Sequence, residues 1–372
     1  MVDLKSQYQI IKNEIDNGII KCLNTADYIN GREVIDFKNN FEKYLNVKHV
    51  IPCANGTDAL QIALMSLDLK HGDEIICPAF TYVATAEVIN LLGFKPVMID
   101  VDVNTFNIDC DKIEELITEK TKVIIPVHLY GQSCDMERIL DIAQKYNLIV
   151  VEDNAQSIGA EYNFKNGTTR KTGTIGHIGC TSFFPSKNLG CYGDGGAIMT
   201  NDDHLAKKLT MITNHGQEVK YIHKILGCNS RLDTIQAAVL NVKLNFLDKY
   251  NNARNQVAEF YDKKLIELSD VIIPYRYNKS THVFHQYTII IKNNKRNDLQ
   301  KYLKENNIPT MIYYPLPLYK QEAFSNQFEN HIELNNTEYL CRSVLSLPIH
   351  TEMNIKQMEY IVEHIKSFFN LS

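Results

Sequence analysis

The 372-residue sequence lacks several features that mark common classes of protein. Its 9 cysteines are dispersed, no two of them form a C-x-x-C pair, and none has a zinc site's Cys/His spacing. Such a set suits reduced thiols better than a disulfide framework. The sequence has no long uncharged apolar run, and no secretory leader opens it. We therefore expect a cytoplasmic protein with no metal site and no membrane segment.

Positive charge and nucleotide-binding loops are also scarce. The 39 Lys and Arg are outnumbered by 44 Asp and Glu, and the net charge of −5 gives no reason to expect a nucleic-acid partner. Neither a G-x-G-x-x-G fingerprint nor a P-loop occurs in the sequence. Any phosphate that the chain binds must therefore be held by another kind of turn.

Strand and helix patterns alternate through the first two-thirds of the chain. Segments with apolar residues at positions i, i+3, i+4 and i+7 predict helices between short apolar runs that predict buried strands. Because this alternation produces parallel sheets with both faces covered, we predict an α/β fold with a mostly parallel sheet. The predicted strands cover 74–77, 96–99, 123–127 and 148–151, and the predicted helices cover 60–67 and 136–143.

A second, smaller unit is predicted toward the C-terminus. A long helix over 233–250 leads out of the first unit, and a strand over 285–291 and a helix over 355–369 follow. No repeat, low-complexity tract or Pro/Ser-rich linker separates the two parts. We therefore predict a large domain over 1–249 and a smaller C-terminal α/β domain over 250–372.

Lys187 is the most informative residue of the sequence. It stands in the stretch TSFFPSKNLG, among small, aromatic and glycine residues, and GDGGA follows shortly after. Such surroundings desolvate an amine, lower its pKa and make it a nucleophile. Most lysines are exposed, so an ordinary turn lysine is the alternative interpretation. The rest of the chain decides between the two.

Two stretches offer a phosphate site if Lys187 forms a Schiff base with pyridoxal phosphate (PLP). The segment ANGTDAL over 54–60 opens a predicted helix, and free N–H groups and the helix dipole favour an anion beside Gly56 and Thr57. A capped helix start explains this segment equally well. Ser182, in the stretch that holds Lys187, can donate to the same phosphate.

Two further stretches suit the pyridine ring. Asp153 ends a predicted strand, where a carboxylate can pair with a protonated pyridine nitrogen, and Gln156 follows within reach of the phenolic oxygen. That ion pair should lower the pKa of Asp153. Tyr82 follows another predicted strand and can stack on the ring. Helix capping for Asp153 and core packing for Tyr82 are the alternatives.

The sequence resembles the DegT/DnrJ/StrS family of sugar-nucleotide aminotransferases, which share the type I fold of PLP-dependent transferases. The resemblance covers essentially the whole chain, from VDLK near the start through PVHLYG to LPIH near the end. It implies a cofactor-binding role for each residue already named: Lys187 for the Schiff base, Asp153, Gln156 and Tyr82 for the ring, and Gly56, Thr57 and Ser182 for the phosphate.

The segment GCNSRLD over 227–233 resembles the element by which the family crosses between subunits. The resemblance implies that Asn229 reaches the phosphate in the neighbouring subunit, so that a homodimer has its active sites at the subunit interface. The alternative is that Asn229 and Asp233 only begin the helix that follows.

The resemblance also implies the substrates, L-glutamate as amino donor and a nucleotide-linked keto sugar as acceptor. Within the family the sequence most resembles enzymes for UDP-2-acetamido-2-deoxy-3-oxo-glucuronate, and Arg231 would bind the uronate carboxylate. Tyr313 and Tyr314 precede Pro315 where those enzymes have His-Tyr-Pro, at the sugar end of the pocket. A dTDP-linked 3-keto-6-deoxyhexose, or a 4-keto sugar nucleotide, is therefore the alternative acceptor.

Two other kinds of function are compatible with a chain of this kind. Related dehydratases carry a histidine in place of the lysine, so Lys187 argues against that reaction. A non-catalytic regulator that binds PLP or a sugar nucleotide is the alternative from another class. The sequence shows neither a helix-turn-helix extension nor a basic patch that would support it.

Overall fold

The computed structural model describes residues 1–324 and 334–371. In chain order, its α-helices are α1 Leu4–Ile10, α2 Lys12–Thr25, α3 Arg32–Leu45, α4 Gly56–Met65, α5 Ala84–Leu91, α6 Met136–Tyr146, α7 Asp203–Ile212, α8 Thr234–Leu244, α9 Leu247–Leu265, α10 Arg296–Glu305, α11 Asn335–Ser343 and α12 Ile355–Leu371. The strands are β1 His49–Cys53, β2 Glu74–Pro78, β3 Lys95–Ile99, β4 Thr121–Ile124, β5 Ile149–Asp153, β6 Glu161–Asn163, β7 Thr169–Lys171, β8 Ile178–Ser182, β9 Gly196–Thr200, β10 Gln217–Val219, β11 Ile222–His223, β12 Val271–Ile272, β13 Tyr287–Ile291 and β14 Val344–Leu347.

Seven strands form the main sheet, in the order β1-β9-β8-β5-β4-β2-β3. Strands β3, β2, β4, β5 and β8 pair in parallel, whereas β9 is antiparallel to both β8 and β1. Alternate residues of the strands enter separate cores on opposite faces: Ile75 packs with α4 and α5, and Ile76 packs with α6. The predicted mostly parallel α/β sheet is confirmed.

The predicted elements differ from the structure most clearly at one helix. The single helix predicted over 233–250 is wrong, because α8 ends at Leu244 and α9 begins at Leu247. The side chain of Asn245 donates to the carbonyl of Asn241, which would otherwise accept the N–H of Asn245. That N–H bonds to Val242 instead, which tightens the turn. The apolar pattern continues across this break and gives no sign of it.

The C-terminal part has its own antiparallel sheet, in the order β12-β13-β14. A separate apolar core joins this sheet to α9, α10 and α12, and Tyr261, Leu299 and Ile365 are among its buried members. Helix α9 runs across the predicted boundary between 1–249 and 250–372, and that division stays a prediction. Among the described helices, none is both long and apolar enough to cross a membrane.

The C-terminal ends of the parallel strands position the candidate site. Asp153 is the last residue of β5, Ser182 is the last residue of β8, and the segment that contains Tyr82 follows β2. Open α/β sheets bind their ligands at this edge, because the loops that leave the strands there can converge on one crevice.

Candidate active site

Lys187 lies on a loop between β8 and β9 that folds back on itself. Its own N–H donates to the carbonyl of Phe184 at 2.8 Å, and the N–H of Cys191 donates to Phe183 at 2.8 Å. The loop is so tight that a Cβ on Gly190 would lie 2.4 Å from the carbonyl oxygen of Pro185. The backbone of the lysine is therefore held in one place.

The amine of Lys187 is partly desolvated. Burial lowers the pKa of Lys187 to about 8, although the negative charge of Asp153 opposes the shift. At pH 7 an amine with this pKa is about one-tenth neutral, far more than an ordinary lysine, and a nucleophile or a base requires the neutral form.

Asp153 is buried at the end of β5, with 6% of its surface exposed. Its Oδ2 accepts a 2.8 Å hydrogen bond from the hydroxyl of Thr85, and its Oδ1 accepts the N–H of Ala155 at 3.1 Å. These bonds favour the carboxylate, but burial outweighs them and raises the pKa of Asp153. The lowered pKa expected for Asp153 is therefore absent from the protein alone, and an added cation opposite this carboxylate would favour its charged form.

The neighbouring carboxylate, Glu152, serves the protein interior. It is fully buried and accepts the N–H groups of Gly173, Ile175 and Gly176, with the ring of His128 at 2.8 Å. Successive strand residues face opposite sides of the sheet, so Glu152 fixes the structure behind the site while Asp153 faces it.

The N-terminus of α4 lies against Ser182. A Cβ on Gly56 would lie 2.6 Å from the Cβ of Ser182, so only glycine allows this approach. The side chain of Asn55 caps the N–H of Asp58 at 2.8 Å, and the cap includes neither Gly56 nor Thr57. The Oγ of Ser182 accepts the N–H of Phe184 at 3.3 Å and retains its own proton for donation. This arrangement suits a phosphate group.

Gln156 connects the end of β5 to an aromatic wall. Its Oε1 accepts the N–H of Tyr130 at 2.9 Å, and its Nε2 donates to the hydroxyl of Tyr314 at 3.1 Å. The hydroxyl of Tyr130 in turn donates to the carbonyl of Tyr313. The predicted site residues Gln156, Tyr313 and Tyr314 therefore belong to one hydrogen-bonded group.

Tyr82, the residue predicted to stack on the cofactor ring, lies beside Tyr314. It is 57% exposed, and its ring centroid lies 6.3 Å from that of Tyr314. Phe80, two residues earlier, is buried and packs edge-on against Tyr314 at 6.0 Å. The core-packing alternative therefore fits Phe80, whereas Tyr82 leaves an aromatic face open beside Tyr314.

Asn229 and Arg231 lie in a loop that contacts the segment just before α4. Between them, Ser230 accepts the N–H of Ala54 at 3.0 Å through its hydroxyl. Asn229 is exposed, whereas Arg231 is half-buried and donates from Nη1 to Asn214 at 3.0 Å. The Nε of Arg231 is buried and has no hydrogen-bond partner among the described residues. No described contact joins Asn229 or Arg231 to Lys187 or Asp153.

Sequence reasoning missed Thr85 and His285. Thr85 is fully buried in the first turn of α5, where nothing in the sequence pattern separates its hydroxyl from those of other helical threonines. His285 is buried just before β13, and its Nδ1 has no partner in the described part of the chain. Burial, together with the charges of Lys187 and Arg254, holds the pKa of His285 well below its usual value. His285 is therefore a neutral neighbour of the site.

These residues fit PLP. The crevice offers an amine for the aldehyde, a buried carboxylate for the ring nitrogen, an exposed aromatic face for the ring and a helix N-terminus for the phosphate. When bound, PLP supplies an electron sink that eases removal of a proton from the carbon bearing the amino group. The described residues contain no group of three or more His, Cys, Asp or Glu side chains that could hold a metal ion.

An α/β sheet of this topology, with an amine nucleophile opposite a buried carboxylate, is the arrangement of PLP-dependent transferases of fold type I. The chain belongs to the DegT/DnrJ/EryC1/StrS aminotransferase family, whose sequence pattern matches residues 9–366. The predicted fold, enzyme class and cofactor are thereby confirmed.

Three relatives with different names are similar to this chain over nearly their whole length. A protein of Geobacillus stearothermophilus named pleiotropic regulatory protein is 45% identical over 99% of this chain and 98% of its own. The UDP-2-acetamido-2-deoxy-3-oxo-D-glucuronate aminotransferase of Pseudomonas aeruginosa is 44% identical over 97% of each chain. The dTDP-3-amino-3,6-dideoxy-alpha-D-galactopyranose transaminase of Aneurinibacillus thermoaerophilus is 42% identical over 99% of this chain and 98% of its own.

A solved structure agrees with the sequence comparison. The crystal structure of DesV from S. venezuelae in complex with a ketimine intermediate superimposes with a TM-score of 0.94 at 35% identity, covering 99% of this chain and 97% of that one. The whole described fold, including its C-terminal sheet, is therefore that of an aminotransferase of this family.

Proposed function

We propose that the protein transfers the amino group of L-glutamate to a nucleotide-linked keto sugar, most specifically to the 3-keto position of UDP-2-acetamido-2-deoxy-3-oxo-glucuronate. The observation that carries the proposal is the pairing of a half-buried Lys187, its pKa lowered to about 8, with the buried carboxylate of Asp153. This pairing supplies a neutral amine and a ring-nitrogen partner in one crevice. The product would be an amino sugar for a glycan or surface polysaccharide.

In the proposed reaction Lys187 acts twice on a proton. Its neutral amine removes the proton from the α-carbon of the bound donor, and its ammonium form later returns a proton to the carbon that becomes aminated. Asp153 holds the ring nitrogen of the cofactor protonated, and Thr85 holds Asp153 in place. Tyr82 covers the ring, Gln156 faces the phenolic oxygen, and Gly56, Thr57 and Ser182 bind the phosphate.

The acceptor sugar is proposed from two features of the sugar end. Arg231 has a buried Nε without a partner among the described residues, so its guanidinium has unused capacity for a carboxylate such as a uronate. Tyr313 and Tyr314, whose rings lie edge-on to each other, are the proposed sugar-contacting residues and contribute hydroxyl groups and no imidazole. The sugar of a dTDP-linked 3-keto-6-deoxyhexose has no carboxylate and needs no cation beside it, and this nucleotide sugar is the second candidate acceptor. A 4-keto sugar nucleotide is a third. The relatives at 44% and 42% identity act on different sugars, so identity alone does not choose.

The proposal includes a homodimer in which Asn229 completes the phosphate site of the neighbouring subunit. Asn229 is exposed, and the preceding hairpin of β10 and β11 exposes large apolar side chains. Exposed apolar side chains close together are typical of a surface that another chain covers. These side chains belong to Val219, Tyr221, Ile222 and Leu226, which are between 58% and 90% exposed.

A cytoplasmic location and the predicted division at residue 250 belong to the same proposal. The nine cysteines are all free, eight of them are buried, and reduced thiols suit a cytoplasmic enzyme.

The regulatory name of the 45% identical relative keeps a non-catalytic alternative in view. The lysine and carboxylate argue for catalysis, since binding alone would not need an amine with a lowered pKa.

One experiment tests the function and chooses the sugar. Purified protein with PLP is given L-glutamate and a panel of UDP- and dTDP-linked 3-keto and 4-keto sugars, and 2-oxoglutarate and amino sugar are measured. We expect turnover with a 3-keto sugar and none in Lys187→Ala, which should still bind some PLP noncovalently. Binding of the cofactor or a sugar nucleotide without turnover of any sugar would favour the regulator.

A further inference from the structure

A second buried lysine lies behind the loop that carries Lys187. Lys243 is on α8, between Leu240 and Leu244 of an apolar core, and only 2% of its surface is exposed. Its Nζ donates to the carbonyl of Gly190 at 2.8 Å and lies 4.4 Å from the ring centroid of Tyr192. The side chain therefore spans from the core to the loop backbone three residues beyond Lys187.

Burying the charge of Lys243 at this position reduces the free energy of unfolding. Within the described part of the chain it forms no ion pair with a carboxylate, and burial lowers the pKa of Lys243 to about 8. An isolated charge in an apolar core destabilises the folded protein, whereas a methionine would fill similar space without that penalty. A buried lysine that destabilises the core in this way suggests a role other than filling space there.

The two helices behind the site hold the same loop at further points. Gln236 of α8 accepts the N–H of Tyr192 at 2.8 Å and donates to its carbonyl at 3.4 Å. Asn251 of α9 accepts from the side chain of Asn188 at 2.7 Å. The five residues after Lys187 are thus tied to α8 and α9 by polar side chains, and Lys243 supplies the contact at the centre of this segment.

The contact with Gly190 bears directly on the direction of Lys187. Gly190 lies so close to the carbonyls of Phe184 and Pro185 that the parts of the loop before and after Lys187 are in direct contact. A shift of the Gly190 carbonyl would therefore be transmitted to the Cα of Lys187. A displacement of about 1 Å at a reacting group can reduce a rate by roughly 100-fold.

We propose that Lys243 is a positioning residue for Lys187, which it holds in place through the carbonyl of Gly190. Lys243 does not touch the reacting atoms, and it acts by fixing the loop from behind. The proposal rests on Lys187 being the cofactor-binding lysine, but it requires no particular sugar. Its test can therefore be read from the cofactor and from the free protein.

The test compares Lys243→Met with Arg296→Met as a matched control. Arg296 is also a buried cation that donates to backbone carbonyls, those of Cys341 and Val344, and none of its described contacts is with the Lys187 loop. In each variant we would measure the pH midpoint of the absorbance of the lysine-bound cofactor, kcat, KM, and the stability to urea. The pKa of Lys187 in the cofactor-free protein follows from its acetylation rate across pH, read by mass spectrometry.

We expect Lys243→Met to shift the cofactor midpoint and the pKa of Lys187, and to lower kcat about 10-fold or more with little change in KM. Arg296→Met should lose stability without either shift. Equal behaviour of the two variants, or an unshifted midpoint in Lys243→Met, would overturn the proposal. If Lys243→Met does not fold, Lys243→Gln, which retains a shorter donor, is measured against the same criteria. Failure of Lys187→Ala to lose the absorbance would instead reject the cofactor assignment itself.

Discussion

The hydroxyl of Thr85 donates a 2.8 Å hydrogen bond to Oδ2 of Asp153, and both side chains are buried. Thr85 lies in the first turn of α5 and Asp153 at the end of β5, so this bond joins a helix to the strand edge where the cofactor ring is proposed to bind. The bond orients the carboxylate and favours its charged form against the effect of burial.

Thr85→Val should therefore weaken the binding of PLP while leaving the fold intact. A hydrogen bond to a charged group contributes about 1.5–3 kcal/mol, so we expect the dissociation constant of PLP to rise roughly 10-fold or more. Equilibrium titration followed by absorbance measures this change. Thr200→Val is the control, since it removes a buried hydroxyl that donates to His177 at 2.9 Å in another part of the sheet. Equal PLP affinity in both variants would show that the Thr85 bond is only structural.

Lys187 should make the cofactor-free protein less stable at neutral pH. Its pKa is lowered from 10.5 to about 8 in the folded state, so between these values the unfolded chain binds more protons. Stability from this residue therefore rises with pH across that window and is lowest below pH 8. We expect Lys187→Met to be more stable than the parent at neutral pH, on the order of 3 kcal/mol, and to lose this advantage above pH 10.5.

Urea unfolding of the cofactor-free proteins on both sides of that window measures the difference. Lys243 also has a lowered pKa, but it is present in both proteins and cancels in the comparison. A constant difference across pH would mean that Lys187 has an ordinary pKa in the folded protein. If Lys187→Met gains stability and loses all turnover, Lys187 is a functional group that the protein holds in destabilising surroundings.

The sequence allowed Asp153 and Gly56 to be predicted as site residues because one ends a strand and the other begins a helix, and Lys187 because small, aromatic and glycine residues surround it. Four strands of the main sheet, β2 to β5, were predictable because they are short apolar runs, whereas β1, β8 and β9 were not predicted. The break between α8 and α9 was not predictable, because it depends on a side chain competing for one carbonyl within a continuous apolar pattern.

Thr85 and Lys243 were missed for a related reason. Their roles depend on which group they meet across the fold, at Asp153 and Gly190 respectively, and local periodicity carries no such information. The roles of Asn229 and Arg231 stay predictions, because they concern contacts with a second chain and with the sugar.

Gly56→Ala should damage the phosphate site specifically. The added Cβ would lie 2.6 Å from the Cβ of Ser182, so α4 must move away from β8. We expect a loss of PLP affinity that exceeds the loss of stability, measured by PLP titration and by urea unfolding. Gly18→Ala is the matched control, because its new Cβ would meet Ala238 at an ordinary 3.6 Å within α2. Unchanged PLP affinity in Gly56→Ala would place the phosphate elsewhere.

Arg231→Ala should discriminate between the two candidate classes of sugar. If Arg231 binds a uronate carboxylate, its removal should reduce kcat/KM for the 3-keto uronate by roughly 100-fold, as expected for loss of a charge-assisted pair, and affect a 6-deoxy sugar far less. Equal losses on both sugars would argue against a carboxylate contact. Loss of the bond to Asn214 is common to both measurements and therefore does not affect the comparison.

Mixing two inactive variants tests whether Asn229 acts in the neighbouring subunit. Lys187→Ala and Asn229→Ala should each have little activity alone. If they exchange subunits freely, half of the dimers are hybrids, and one of the two sites in each hybrid combines Lys187 of one chain with Asn229 of the other. Activity should therefore return to about one quarter of the parent value. Mixing Lys187→Ala with a chain that carries both substitutions should restore nothing. If hybrids form but stay inactive, Asn229 acts within its own subunit, and full activity of Asn229→Ala alone would show that Asn229 has no role.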